Sequence, residues 1–400
     1  MLSIPLLFAI ILLVFVEYRY TRLQRKIIEK SLAKIKRELP EEFIGQPSNK
    51  HVDSPAPKAA NKIFNIPRIT LKKLGQKRAI RKLESAERNP RFDKLTLVIP
   101  TYNRHQYLAR AIDYYRHWNI KILITDSTTD PYRGVLPQNI RYWHRPEVPW
   151  SKKLEEAISF VKTSYLLMVA DDDFMSPLGV GQALNYLEKN SECCSAQGRH
   201  TSFTRYPSYI KWHSIHLFAA NYHVHGNNVR SRLEQQLSPY MNNFYAVHRT
   251  AVLKDFFCRV CPTLSPDIIS KRPDLLEIGL ALTSAAWGSH ISLPVFWIAR
   301  EVLKDTAFPS QSSDTNSDVN EKIIFNELTA LLTSHIGDEN INEFSMQLLD
   351  SFRLFRKKWN QLKISHFGSI KASVRSSEEH VALNKIITTI NNHNFGFKTR

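Results

Sequence analysis

The chain contains few cysteines and few glycines, and both shortages exclude classes of protein. Four cysteines in 400 residues are too few for a disulfide framework. Cys258 and Cys261 have the spacing of half a zinc site, but the adjacent Cys193 and Cys194 are poor partners for one tetrahedral ion, so ordinary buried thiols are the favoured interpretation. Twelve glycines and no repeat of solenoid length exclude collagen-like and repeat architectures.

Acidic residues are also in short supply, because 37 Asp and Glu stand against 55 Lys and Arg and leave a formal net charge of +18. This excess predicts an anionic partner, and nucleic acid, acidic lipid and nucleotide phosphate all meet that description. The charge is uneven: residues 17–93 hold 20 Lys and Arg and nine Asp and Glu, whereas residues 303–400 hold 12 and 11. A nucleic-acid binder would spread basic charge over its globular body, so nucleic acid is not expected as a partner.

No apolar run reaches the usual length of a transmembrane helix. The longest, residues 2–16, would span about 22 Å as a helix against roughly 30 Å of hydrocarbon. Basic residues follow this run, which opposes a cleaved signal peptide and, by the positive-inside rule, places the rest of the chain in the cytoplasm. We therefore expect residues 1–20 to be a membrane anchor, spanning or interfacial, and residues 21–93 to be a basic Pro-containing stem beside the membrane.

After residue 93 the pattern changes to short apolar strands that alternate with amphipathic helical segments. The strands are expected at residues 95–99, 122–125, 140–143 and 165–169. Such an alternation is typical of an α/β fold in which a mostly parallel sheet is flanked by helices. We expect this domain to occupy residues 94–303 and a helical C-terminal region to occupy residues 304–400.

Polar residues follow three of these strands, at the end of the sheet where ligands gather in open α/β folds. The first strand leads into residues 100–104, the second into residues 126–130, and the fourth into the acid triplet Asp171, Asp172 and Asp173. Three adjacent carboxylates repel one another unless a cation compensates, and Mg²⁺ or Mn²⁺ is the usual remedy. The structural alternative is that acids before a helix are stabilised by its N-terminus. The three polar strand ends together favour the metal.

These motifs resemble those of glycosyltransferase family 2, whose members have a GT-A fold. The resemblance rests on LVIPTYNR (97–104), ITDSTTD (124–130) and YLLMVADDDFMSP (165–177), which stand in the family's order, and it covers residues 94 to about 301. It implies a GT-A-like domain that transfers a sugar from a nucleoside-diphosphate donor to an acceptor hydroxyl, with metal assistance and inversion. The implied partners are the nucleoside-diphosphate sugar and a saccharide or lipid-linked acceptor.

The resemblance also implies roles for individual residues. The residues expected to bind the nucleotide sugar are Pro100, Thr101, Tyr102, Arg104, Asp126, Lys153, Asp171 and Asp172. Asp173 is the expected ligand of Mg²⁺ or Mn²⁺. Two of these residues have structural alternatives, since Arg104 can form a surface salt bridge and Asp126 can form a turn.

An inverting displacement also requires a base that removes the proton of the acceptor hydroxyl. The resemblance implies an acid at the start of a helix well after the triplet, and RPDLLEI (272–278) offers Asp274 and, one turn later, Glu277. Asp274 is preferred. The alternative is a helix cap in which Asp274 and Glu277 form a capping box without any catalytic role.

Two other functions fit part of the sequence. A sugar-nucleotidyltransferase of related fold would carry a Gly-rich first turn, and PTYNR (100–104) has no glycine. A non-enzymatic, basic, membrane-tethered scaffold would carry its charge over the whole globular body, and this chain does not. The favoured prediction is a membrane-associated glycosyltransferase whose catalytic domain faces the cytoplasm.

Overall fold

A computed structural model describes most of the chain from residue 73 onwards. The described ranges are 73–206, 210–213, 222–237, 240, 242–272, 274–303, 317–332, 341–362 and 376–393. All of them belong to one compact unit, Asn65–Arg400. The expected anchor, residues 1–20, and most of the expected stem, residues 21–93, lie outside the described residues. The division into anchor, stem, catalytic domain and C-terminal region stays a prediction.

A ten-stranded sheet forms the centre of the described chain. Its strands are β1 Leu95–Thr101, β2 Lys121–Asp126, β3 Ile140–His144, β4 Tyr165–Met168, β5 Phe174–Met175, β6 Cys193–Arg205, β7 Ile210–His213, β8 His223–Val224, β9 Val247–Arg249 and β10 Ser289–Glu301. The order across the sheet is β3-β2-β1-β4-β9-β6-β10-β5, with β7 beside β6 and β8 beside β10. Leu97, Val98 and Ile99 of β1 are fully buried, as expected for a parallel strand that is covered on both faces.

The sheet is mixed, which corrects the expectation of a mostly parallel sheet. Strands β3, β2, β1 and β4 are parallel neighbours, and β6 is parallel to β10. Strand β9, however, lies between β4 and β6 and runs antiparallel to both, and β5 runs antiparallel to β10. The expectation was wrong for the second half because β5 and β9 are only two and three residues long, too short to produce a readable strand pattern.

Helices flank this sheet. They are α1 Lys73–Glu87, α2 His105–Tyr115, α3 Trp150–Ser159, α4 Pro177–Lys189, α5 Val229–Leu237, α6 Thr250–Asp255, α7 Pro266–Lys271, α8 Asp274–Trp287, α9 Ser317–Leu331, α10 Ile341–Leu362 and α11 Ser377–Asn392. Helix α4 follows the acid triplet closely, and its start is fixed locally. The Ser176 side chain accepts a hydrogen bond from the Gly179 amide, and Pro177 occupies the first helical position.

The last helix, α11, is anchored to the sheet by one buried carboxylate. The Glu379 carboxylate accepts hydrogen bonds from the Arg199 guanidinium on β6 at 2.8 and 3.0 Å. It also accepts one from the Phe296 amide on β10 at 2.7 Å. Glu379 therefore ties α11 to two neighbouring strands, one of which, β10, ends at the candidate active site.

The expected membrane association is not supported. Among the helices in the described ranges, none is both long enough and apolar enough to cross a bilayer. This finding overturns the prediction of a membrane-associated protein with its catalytic domain facing the cytoplasm. The apolar run on which that prediction rested, residues 2–16, lies outside the described part of the chain.

Candidate active site

The carboxyl ends of β1, β2 and β4 meet at one edge of the sheet. Thr101, the last residue of β1, is paired in register with Asp126, the last residue of β2. Strand β4 lies parallel to β1 on its other side and is followed by the acid triplet, residues 171–173. The Thr101 hydroxyl donates to Asp171 Oδ2 at 2.6 Å. The three polar strand ends singled out in the sequence are thus brought together.

Lys153, on α3, supports this edge from a buried position. Its Nζ donates to the Thr101 carbonyl oxygen at 2.5 Å and to Ser127 Oγ at 3.0 Å. Burial lowers the pKa of Lys153 to about 8, because the apolar surroundings disfavour the charged ammonium. Lys153 therefore connects the end of β1 with the loop that follows β2.

Asp126 is fully buried and lies within reach of three donors. Its Oδ2 accepts a hydrogen bond from the Tyr142 hydroxyl at 2.7 Å and lies 2.6 Å from His105 Nε2, and its Oδ1 accepts from the Thr128 amide at 2.8 Å. Burial alone would raise the pKa of Asp126, but these hydrogen bonds outweigh it and the pKa is lowered. Asp126 is thus an ionised carboxylate held in a fixed orientation.

The turn after β1 exposes an aromatic ring. Tyr102 is 45% exposed, whereas Pro100, within β1, is only partly accessible. Asn103 adopts a φ of 54°, in the left-handed region that asparagine tolerates, and its amide donates to Thr128 Oγ1 at 2.8 Å. This contact holds the turn that carries Tyr102 against the loop after Asp126.

Arg104, at the start of α2, contacts two members of the triplet. Its Nε lies 3.4 Å from Asp171 Oδ1, and its second terminal nitrogen donates to Asp172 Oδ2. Burial would lower the pKa of Arg104, but the two carboxylates outweigh that effect and the pKa is raised. The salt bridge that sequence reasoning offered as the alternative for Arg104 is therefore present, and its partners are the triplet itself.

Asp173 faces β10. Its Oδ2 accepts from Arg300 Nε at 3.2 Å and its Oδ1 accepts from the Glu301 amide at 3.0 Å, so both carboxylate oxygens are engaged. Its side chain is 3% exposed. Burial, reinforced by the negative charge of Asp172, raises the pKa of Asp173, and the same two causes raise the pKa of Asp171 against the opposing charge of Arg104.

A buried ion pair lies behind the triplet. Arg110 on α2 donates to Glu301 Oε2 at 2.5 Å and to the Asp172 carbonyl oxygen at 3.2 Å. The side chains of Arg110 and Glu301 are 0% and 2% exposed. Because the Glu301 amide also donates to Asp173, this pair connects α2, β10 and the backbone of the triplet.

Arg300 extends the site from the triplet towards α8. Its second terminal nitrogen donates to the Tyr245 hydroxyl at 3.3 Å, and its guanidinium lies 4.5 Å from the centre of the Tyr245 ring. Burial opposes the charge of Arg300, but Tyr245, Asp173 and Glu277 outweigh burial and raise its pKa. Arg300 therefore lies in the combined field of Asp173 and Glu277.

Of the two candidate bases, Glu277 is the one whose surroundings are described. Glu277 is half-buried on α8, and Asn242 Nδ2 donates to its Oε2 at 2.5 Å. Asp274 is the first residue of α8, and its side chain lies outside the described part of the structure. The negative charge of Glu277 favours the charged form of Arg300 and helps to raise its pKa, and Arg300 in turn pairs with Asp173.

The triplet fits a divalent ion only if a further ligand, such as a phosphate, helps to coordinate it. Mg²⁺ shared with a phosphate ligand needs one or two protein carboxylates, and Asp172 meets this requirement because only its Oδ2 accepts a hydrogen bond from a described residue. Asp173 fits only if Arg300 gives up Oδ2. Within the described ranges, no group of three His, Cys, Asp or Glu side chains is arranged to hold a metal alone. The site suits an ion that a phosphate ligand helps to bind.

Sequence reasoning did not single out several residues that contact the site. They are Arg110, Asn242, Arg300 and Glu301. Arg300 and Glu301 carry a readable signal, because they end an apolar strand just as the triplet follows one. Arg110 and Asn242 carry none, since they lie within a helix and a loop that only the tertiary fold brings to the site.

Comparison with known proteins places the domain in a family. Residues 96–257 match the model described as glycosyl transferase family 2. No curated protein matches the chain. TarS residues 1–349 of S. aureus, a solved structure, is 14% identical over 74% of this chain and 80% of its own, with a TM-score of 0.41. Its complex with UDP is 14% identical over 75% of this chain and 89% of its own, with a TM-score of 0.42. Its complex with UDP-GlcNAc is 16% identical over 75% of this chain and 90% of its own, with a TM-score of 0.39. Likeness at these TM-scores supports no conclusion about this chain.

The family match coincides with the strand ends described above. It contains Thr101, Asp126, Lys153 and the acid triplet, and it ends before Glu277 and Arg300. The three motifs that carried the resemblance all lie within 95–177, so the match confirms the expected family. Residues 96–257 are therefore a domain of the glycosyltransferase family 2 type, set in a mixed α/β fold.

Proposed function

We propose that the donor binds along the edge formed by β1, β2 and β4 and that an acceptor hydroxyl attacks its sugar from the side of Glu277. The observation that carries this proposal is that Arg104 and Arg300 both pair with the acid triplet at the strand edge that holds Asp126, while the charge of Glu277 acts on Arg300. The nucleoside lies against Tyr102, and the buried carboxylate of Asp126 positions the Thr128 loop that holds the Tyr102 turn. The diphosphate lies between Arg104 and Arg300, whose positive charges face it.

The proposed donor complex includes Mg²⁺ or Mn²⁺. Asp172 would hold the ion through Oδ1, and Asp173 would join it once Arg300 has turned away; the donor's phosphate oxygens complete the site. A bound divalent ion would stabilise the negative charge that develops on the departing diphosphate. Thr101 keeps Asp171 oriented, and Lys153 keeps the end of β1 in place.

The proposed reaction is a single inverting displacement. Glu277 accepts the proton of the acceptor hydroxyl while that oxygen bonds to the anomeric carbon, and the bond from this carbon to the diphosphate oxygen breaks. Asn242 orients the Glu277 carboxylate through its 2.5 Å hydrogen bond. Asp274, one turn earlier on α8, is the second candidate for the base.

The proposed acceptor is the hydroxyl of a saccharide or of a lipid-linked sugar. Trp150, at the first position of α3 and one turn before Lys153, is partly exposed and stacks on Phe244 at 5.8 Å between ring centres. Phe244 in turn packs against Tyr245, the partner of Arg300. An aromatic surface next to the cationic part of the site suits the apolar face of a sugar ring.

The test is turnover by the full chain, measured as release of nucleoside diphosphate from a panel of UDP-, GDP-, CDP- and dTDP-sugars with Mn²⁺. Glu277→Gln removes the proposed base without changing its size and should lower kcat at least a hundredfold, since general bases contribute about 10²–10⁴-fold. Asp274→Asn is the matched variant on the same helix and should retain most of the activity. Full activity in Glu277→Gln would contradict the assignment, and loss only in Asp274→Asn would transfer the role to Asp274.

A further inference from the structure

The acid triplet already has counter-ions, and they come from two separate elements. Arg104, at the start of α2, pairs with Asp171 and Asp172, and Arg300, at the end of β10, pairs with Asp173. We propose that these two arginines are exchangeable counter-ions: they neutralise the triplet before the donor binds and turn to the diphosphate when a divalent ion takes over the carboxylates. This inference rests on the proposed function and adds a rule to it, namely that metal and nucleotide bind together and metal alone binds weakly.

The charge balance of the site requires such counter-ions. The side chains of Asp171, Asp172 and Asp173 are 2%, 11% and 3% exposed, so water screens their mutual repulsion poorly. A buried carboxylate without a compensating charge or hydrogen bond is strongly destabilising. Arg104 and Arg300 provide that compensation in the described molecule.

The two arginines are also placed to move, whereas the third arginine of the site is not. Arg104 and Arg300 are 21% and 38% exposed, and each contacts the triplet with only part of its guanidinium. Arg110 is completely buried and holds Glu301 and the Asp172 carbonyl oxygen, so its role is structural. The Tyr245 ring, 4.5 Å from the Arg300 guanidinium, provides a surface on which that side chain can turn without losing its cation–π contact.

Repulsion between like charges favours the exchange. A divalent ion bound to Asp172 or Asp173 would lie close to the Arg104 or Arg300 guanidinium, because these arginines contact the same carboxylates. Metal without a phosphate ligand is therefore opposed by the two arginines, or it must displace one of them and leave a guanidinium without a partner. A diphosphate removes that cost, because it accepts the displaced guanidinium through charge-assisted hydrogen bonds. Each ligand should then increase the affinity for the other by the same factor.

The experiment measures free Mn²⁺ by electron paramagnetic resonance in titrations of the full chain, alone and with whichever of UDP, GDP, CDP, ADP or dTDP raises its melting temperature most. We expect the nucleotide to increase the affinity for Mn²⁺ at least tenfold. Arg300→Gln and Arg104→Gln should increase the affinity for Mn²⁺ alone at least threefold and decrease the affinity for the nucleotide with Mn²⁺. Arg300→Lys keeps the charge and should bind Mn²⁺ alone as weakly as the unchanged protein.

Arg116→Gln is the matched control, since it removes one positive charge at the other end of α2, where Arg116 is exposed and pairs with Asp113. It should change neither affinity. Equal Mn²⁺ affinity with and without nucleotide, or weaker binding of Mn²⁺ alone to folded Arg300→Gln, would overturn the exchange while leaving the proposed function intact. Failure of every nucleoside diphosphate to bind, with or without Mn²⁺, would instead contradict the proposed function.

Discussion

Substitution of Glu379 by glutamine tests whether the last helix belongs to the fold that carries the active site. The Glu379 carboxylate accepts hydrogen bonds from Arg199, from the Phe296 amide and from the Ser376 amide, the last at 3.2 Å. The side chains of Arg199 and Glu379 are 1% and 7% exposed. Glutamine removes the negative charge and leaves the Arg199 guanidinium buried beside a neutral partner.

The expected loss of unfolding free energy follows from the burial of this ion pair. Removing one partner of a buried ion pair costs about 3–5 kcal/mol, a large part of a typical unfolding free energy of about 5–15 kcal/mol. We expect Glu379→Gln to lower the unfolding free energy by about 3–5 kcal/mol and the melting temperature by roughly 4–7 °C. Glu378→Gln is the matched control, because Glu378 is the neighbouring residue, 25% exposed, and pairs with the exposed Lys82. Exposed pairs contribute about 0–1 kcal/mol.

Urea unfolding followed by tryptophan fluorescence measures both variants at pH 7.5. Equal losses for Glu379→Gln and Glu378→Gln would refute the reasoning, because the buried pair would then contribute no more than the exposed one. A double variant, Arg199→Met with Glu379→Leu, should recover part of the loss, since apolar side chains of similar size need no counter-charge. Recovery would attribute the loss to the unpaired charge and not to a general disturbance of α11.

Three further predictions concern charge in and around the site. Lys153→Met should lower the nucleotide affinity and the melting temperature, because the donor to the Thr101 carbonyl oxygen is lost. Lys152→Met, which changes an exposed neighbour, should lower neither. Isothermal titration measures the affinity, and thermal melts measure the melting temperature. Asp126→Asn should weaken nucleoside-diphosphate binding about tenfold while Asp130→Asn, an exposed change, leaves it unaltered in the same titration. Burial lowers the pKa of His248 to about 4 and of His290 to about 3. In the unfolded chain both histidines have the ordinary pKa of about 6.5, so below pH 6.5 the unfolded chain takes up protons that the native chain does not. The unfolding free energy should therefore fall by about 1.4 kcal/mol per pH unit for each histidine as the pH drops from 6.5 towards 4. Urea titrations at several pH values measure this slope, and His290→Asn should reduce it.

The first half of the fold is predictable because its information is local. Strands β1, β2, β3 and β4 are apolar runs separated by helical periodicity, and parallel neighbours place their polar ends at one edge. Thr101, Asp126 and the acid triplet follow from that rule without knowledge of the full sheet. Lys153, by contrast, is expected only from the family resemblance, and its contacts with Thr101 and Ser127 depend on how α3 packs on the sheet.

The second half is not predictable from local patterns. Strand β9 separates β4 from β6 in the sheet, although β5 and β6 follow β4 in the sequence. Strand β10 then brings Arg300 and Glu301 to Asp173 across more than 120 residues of chain. Tertiary packing decides pairing over such a distance, and no short segment of the sequence determines it. Glu379 is further still from its partner Arg199, so the anchoring of α11 is equally hidden.

The acid triplet shows how far electrostatic reasoning from a sequence extends. Three adjacent carboxylates after a buried strand require positive charge, and this requirement holds whatever the fold is. It does not specify which cation supplies the charge. A divalent ion and an arginine both satisfy it. The sequence shows Arg104 and Arg300 at the ends of apolar strands, but the pairing of Arg300 with Asp173 depends on the place of β10 in the sheet. The two arginines found there reduce the negative charge that a metal would meet at the triplet. The predicted metal site is therefore compatible with the arginines only in the way proposed above, with a phosphate ligand that accepts them when the metal binds.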